Sequence, residues 1–180
     1  MQGERFFIRY ALPGAKKFTA LVVPRDGKPE QALTGVNDET TGYRNGIRLS
    51  TLGIPAGNYD ALLLDGENVV AKTRFSVADP DLDAALVIDQ PEVAKDAETI
   101  AVRWAGAPGN RHDWIGIYKA GDPGMMNYFH YQYVDARFDG EMDVKLTNWG
   151  DPLEPGDYEL RLMNDDAYVL LAKTAFTIKP

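Results

Sequence analysis

Short apolar runs alternate with clusters of Gly, Pro, Asn and Asp along the whole chain, and no stretch keeps a 3.6-residue apolar period. This pattern predicts short strands. Phe18–Val23 and Trp114–Tyr118 read as two of them. Residues 59–64 and 69–77 read as a hairpin turning over Asp65-Gly66-Glu67-Asn68. Residues 158–163 and 169–178 read as another, turning over Asn164-Asp165-Asp166. Strands at roughly 8–12 residue spacing predict an all-β, antiparallel sandwich of the Ig-like kind.

The two hairpins resemble each other. Gly57, Tyr59, Ala71-Lys72-Thr73 and Phe75 match Gly156, Tyr158, Ala172-Lys173-Thr174 and Phe176. Upstream, Ile8-Arg9-Tyr10 resembles Val102-Arg103-Trp104, and Pro13-Gly14 matches Pro108-Gly109. Leu49, Leu52 and Gly53 match Leu146, Trp149 and Gly150. A duplication is therefore expected. It would give one Ig-like sandwich over residues 1–78, a short acidic linker over 79–83 and a second sandwich over 84–180. Gly-x-Tyr at the start of the penultimate strand predicts a tyrosine corner at Tyr59 and Tyr158, with the phenol bonded back to upstream backbone.

The run Asp113-Trp114-Ile115-Gly116-Ile117-Tyr118-Lys119 resembles the D-W-I-G-I-Y-K motif of a group of Ig-like or fibronectin-like sandwiches, as does Pro155-Gly156-Asp157-Tyr158-Glu159-Leu160-Arg161-Leu162. Such domains are similar to the SKICH domain of phosphoinositide phosphatases and autophagy receptors, and to the domain preceding purple acid phosphatases. Bacterial tandem copies often accompany von Willebrand A or hydrolase domains. The resemblance covers nearly all of residues 97–178. In the first half, Phe18-Thr19-Ala20-Leu21-Val22-Val23 replaces the motif. The resemblance implies an accessory module of a larger bacterial exported protein, periplasmic or extracellular, with a cytoplasmic location as the alternative.

Charge and chemistry narrow the picture. The chain has 180 residues and a net charge of −8, which disfavours a phosphate-backbone partner. Residues 1–78 carry 10 basic and 8 acidic groups, and residues 79–180 carry 9 and 19. With no cysteine, thiolate catalysis and zinc–sulfur sites are excluded. The two serines, Ser50 and Ser76, lie outside any G-x-S-x-G, and no H-E-x-x-H or P-loop occurs. His112 beside Asp113 lacks a nucleophile. No apolar run reaches membrane-helix length, and no leader pattern is expected at the start. These features predict a non-enzymatic chain without a cofactor.

Two regions stand out as recognition candidates. Strand alternation puts Trp114, Gly116 and Tyr118 on one face, where the rings either cover the sheet or form an exposed platform. In Tyr128-Phe129-His130-Tyr131-Gln132-Tyr133, alternation assigns Phe129, Tyr131 and Tyr133 to the core and Tyr128 and His130 to a wet face. The counterpart, residues 34–43, is polar. Trp114, Tyr118, Tyr128 and His130 are thus the candidate contacts. Asp79, Asp81 and Asp83 are candidate calcium ligands, helped by Glu92 or Asp96. Ala84 and Gln90 break the EF-hand pattern, which favours a solvated linker. The expected partner is a protein, with a carbohydrate or a neighbouring hydrolase domain as the alternatives.

Overall fold

In the computed structural model, residues 5–11, 18–38, 44–79 and 81–180 are described. The chain divides into two compact units, Met1–Asp79 and Pro80–Pro180. Among the described residues the regular structure is β, apart from two single 3-10 turns, and no helix is long and apolar enough to cross a membrane. The expected hairpins form where the apolar pattern placed them.

The second unit is a two-layer sandwich. One sheet runs β12 (Gly140–Lys145), β9 (Thr99–Ala105), β7 (Ala85–Ile88). The other runs β11 (His130–Tyr133), β10 (Trp114–Lys119), β15 (Gly156–Asn164), β16 (Val169–Ile178), β8 (Glu92–Val93). Ile100, Val102 and Trp104 alternate inward along β9 and meet Ile115, Ile117, Leu160, Leu162 and Phe176 from the facing sheet. This strand order, with antiparallel sheets sharing one core, is that of an Ig-like sandwich. The first strand is split: β7 joins β9, and β8 pairs parallel with the last strand. A small hairpin, β13 (Thr147–Asn148) and β14 (Asp151–Pro152), leads into β15.

The first unit has a two-stranded sheet, β1 (Arg5–Ala11) with β4 (Arg44–Ser50). Its four-stranded sheet runs β3 (Thr34–Asp38), β2 (Phe18–Pro24), β5 (Gly57–Asp65), β6 (Asn68–Val77). Its pairings follow those of the second unit. Thr19 faces Leu64 as Trp114 faces Met163. The β5–β6 register breaks between Leu63 and Leu64, and the β15–β16 register breaks between Leu162 and Met163. With Ile8 set against Val102, the pairing of Phe6 with Leu49 and of Ile100 with Val144 makes Val144, not Leu146, the counterpart of Leu49. Pro13-Gly14 and residues 39–43 lie outside the described residues.

Both tyrosine corners form. The Tyr59 hydroxyl donates to the Pro55 carbonyl at 2.9 Å, and the Tyr158 hydroxyl donates to the Glu154 carbonyl at 2.7 Å. Each unit also buries a carboxylate next to that tyrosine. Asp60 lies 3.4 Å from Arg25 and 3.4 Å from Lys72. Glu159 lies 3.0 Å from Arg161 and 3.1 Å from Lys173. Burial pushes the Glu159 carboxyl up, but Lys173, Arg161 and the Gly121 amide together hold it below its usual value.

Replacing Tyr158 with Phe leaves the Glu154 carbonyl short of a donor and should destabilise the second unit by about 1 kcal/mol. Urea unfolding followed by tryptophan fluorescence checks this, because all three tryptophans lie in that unit.

Candidate functional site

The outer face of the five-stranded sheet is a layer of aromatic rings. β10 starts it: Ile115 and Ile117 point into the core, and Trp114 and Tyr118 point outward over Gly116. A Cβ at Gly116 would sit 2.5 Å from the Trp114 ring and 3.0 Å from the Tyr118 ring, so the motif glycine is what lets both rings close over the strand. Trp114 packs edge-on against Tyr128, Tyr131 and Tyr168, at centroid distances of 5.2, 5.6 and 5.8 Å. Its indole N–H donates to the Asp165 carbonyl at 3.1 Å.

Trp114 and Tyr118, expected as contact residues, are 4% and 0% exposed. They are foundations, and the tyrosines above them carry the surface. Burial pushes the Tyr118 phenol up to about 12. Its hydroxyl donates to the Met125 carbonyl at 2.9 Å, and the Arg161 guanidinium lies 4.2 Å from its ring centroid. Arg161 also donates to the carbonyls of Asp122 and Gly124, fixing the loop between β10 and β11.

The aromatic cluster at 128–133 divides differently from simple alternation. Phe129 does turn inward, 5.7 Å from the Tyr158 ring. Tyr131 instead lies in the outer layer with Tyr128, 5.5 Å ring to ring. The reason is that β11 begins only at His130, so Tyr128 and Phe129 belong to a loop and do not share its period.

The residue that the sequence reading missed is Trp149. It is 67% exposed, and its ring lies 5.8 Å from Tyr128 and 6.4 Å from Tyr131. It occupies the β13–β14 turn with φ +51°, followed by Gly150 at φ +119°. Two successive positive φ values suit a tight hairpin, but a bulky residue in the left-handed region costs roughly 1–2 kcal/mol. The turn is held by Thr147, whose hydroxyl donates to the Asp151 carbonyl at 2.9 Å and accepts from the Gly150 amide at 2.8 Å. A tryptophan before a turn glycine was the available signal.

Trp149, Tyr131 and His130 line a surface groove of about 910 Å³, with Leu146 in its apolar lining and Lys95, Asp96, Glu98 and Lys145 supplying charge of both signs. The buried His130 Nε2 has no hydrogen-bond partner. Burial holds this imidazole below its ordinary value, aided by the Lys145 charge and opposed by a bond with Gln132. That nitrogen is itself buried, so what the groove offers a ligand is an apolar, ring-bearing surface flanked by charges of both signs.

Elsewhere, His112 lies 3.5 Å from both Asp165 and Asp166 rather than against Asp113. The Asp113 carboxylate accepts the Asn110 and Asp165 amides, each at 2.8 Å, and ties two loops together. Asp79, Asp81 and Asp83 are exposed, and among the described residues no three ligating side chains gather into a metal site.

No family model matches the chain, and no curated protein matches it. Solved structures align with it at low similarity. A biofilm-associated protein BSP domain shares 14% identity at TM-score 0.33, over 99% of this chain and 29% of its own length. The MG0-NIE-MG1 segment of Escherichia coli alpha-2-macroglobulin shares 12% at TM-score 0.35, over 96% and 70%. A teleost fish polymeric Ig receptor ectodomain shares 12% at TM-score 0.32, over 99% and 92%. The chain spans less than a third of the length of the first three structures it aligns with. The fold assignment rests on strand order and register.

Two outcomes test the site's construction. Gly116→Ala should cost about 1–3 kcal/mol by forcing the Trp114 and Tyr118 rings apart, measured by urea unfolding. Because the folded His130 value lies below the unfolded 6.5, the unfolded chain binds more protons there. Stability should therefore fall as pH drops from 6.5 toward the folded value and then level off. Urea midpoints across that range check this, and His130→Gln should flatten the fall.

Proposed function

We propose that this chain is a non-catalytic recognition module that binds a protein partner through the groove of its second unit. The observation that carries the reading is Trp149, an exposed aromatic kept in a strained turn above a layer of buried rings. Strain held at an exposed aromatic points to contact rather than packing. An exposed aromatic anchor beside an apolar groove has the makings of a binding hot spot. Tyr128 and His130 are contacts in this reading, and Trp114 and Tyr118 hold Tyr128 in place. The second unit's 9 basic and 18 acidic residues would steer a basic partner at low salt.

The repeated registers, paired tyrosine corners and mirrored carboxylate–lysine pairs support an origin of both units by duplication, with residues 79–83 as the joint. The D-W-I-G-I-Y-K resemblance supports an accessory role in a larger exported bacterial protein, where a catalytic domain such as a hydrolase would lie outside this chain. A second reading, carbohydrate binding, is favoured by one feature: the exposed Trp149 ring is a flat surface on which a sugar can stack.

Panning a displayed peptide library and probing a glycan array with the full chain tests both. Peptide enrichment supports the protein reading, glycan enrichment alone replaces it with the second, and neither removes the groove as a recognition site. Trp149→Gly should abolish capture while raising unfolding stability by about 1 kcal/mol, since glycine relieves the left-handed strain.

A further inference from the structure

The two units differ where the first strand of an Ig-like sandwich lies. In the second unit, β7 and β8 close the mouth between β9 and β16. Leu86 of β7 is 7% exposed and sits in the core, opposite Trp104. Asp89, just past β7, is ion-paired with Arg103 of β9. The Thr177 and Lys179 amides donate to the Pro91 and Val93 carbonyls, at 2.8 and 2.9 Å.

The first unit has no such segment among its described residues. The outer edges of β1 and β6 carry no strand there, and a cavity of about 240 Å³ opens between them. Ile8, Arg9 and Ala11 line one side, and Ala71 and Thr73 the other. These are the counterparts of Val102, Arg103, Ala105, Ala172 and Thr174. Burial follows the difference. Val102 is 1% exposed, whereas Ile8 is only half-buried. Ala172 and Thr174 are half-buried, whereas Ala71 and Thr73 are exposed. Arg9, the counterpart of Arg103, lies over the Phe7 ring, 5.9 Å from its centroid, with no carboxylate partner among the described residues.

We infer that the first unit is a strand acceptor. Its open mouth takes an extended peptide strand from another polypeptide, with alternate branched aliphatic residues turned inward and a carboxylate placed for Arg9. The segment Asp83–Val93 shows the chemistry required, since its Leu86, Ile88 and Asp89 perform these tasks on the second unit. Backbone pairing would supply affinity, and the inward side chains and the acid would supply register. This site is separate from the aromatic groove and stands or falls without it.

The probe is a fluorescein-labelled peptide of the sequence of residues 83–93, titrated into the full chain and followed by anisotropy. Saturable binding is expected, with amide shifts in NMR spectra at Ile8, Ala11, Ala71 and Thr73. A peptide with Leu86→Glu and Ile88→Glu should not bind. Arg9→Glu in the protein should weaken binding about tenfold, and a peptide carrying Asp89→Lys should recover it. Ala71→Phe, which fills the mouth from an exposed position, should abolish binding with an unchanged melting temperature. Absence of saturable binding at millimolar peptide, or shifts confined to the second unit, overturns the inference. So does a chain that sediments as a dimer through this mouth, because the occupant would then be a second copy.

Discussion

Six consecutive residues of β15, Tyr158 to Met163, are buried, and so are the six from Tyr59 to Leu64 in β5. A strand in this state has both faces removed from water, so each face needs its own cover. The sandwich partner covers one face. The other needs a layer that the Ig-like topology does not itself provide. In the first unit that layer is aliphatic, built on Val23, Leu62 and Leu64 with Leu21. In the second it is aromatic, with Trp114, Tyr118 and Met163 beneath Met125, Tyr128, Tyr131 and Tyr168. The candidate site is an extension of this cover. The rings that keep β15 dry also form the wall beside which Trp149 stands.

The same constraint explains the buried charge. Arg161 points to the outer face of β15, under the loop that follows β10. Removing it from water would be costly without compensation, and the structure supplies Glu159, two loop carbonyls and the face of Tyr118. The loop is held by these bonds, and it delivers Tyr128 and Phe129 to opposite sides of the sheet. Backbone carbonyls, invisible in a list of side chains, set where the aromatic residues go.

Much of the fold was legible because two-residue alternation and turn residues act locally. The hairpins, the tyrosine corners and the inward Ile115 and Ile117 all follow from neighbours in sequence. What was not legible depended on where a period starts. Tyr131 reversed its expected face because pairing with β10 begins at His130. For Trp114 and Tyr118 alternation set the direction but left cover and platform both open, because exposure is decided by distant residues such as Tyr168. Trp149 was hidden for another reason: the Trp149-Gly150 pair signalled a turn, but the ring's exposure depends on how β13 and β14 pair around it.

The parallel pairing of β8 with β16 has a mechanical meaning. It joins the first and last strands of the second unit side by side, through Glu92 with Thr177 and Val93 with Ile178. A pull on the two ends of that unit loads these bonds together, in shear, so they must break at once. Among the described residues of the first unit, β6 is joined to the sheet only through its hairpin with β5. A pull at its free end opens that ladder one bond at a time, as a zip opens.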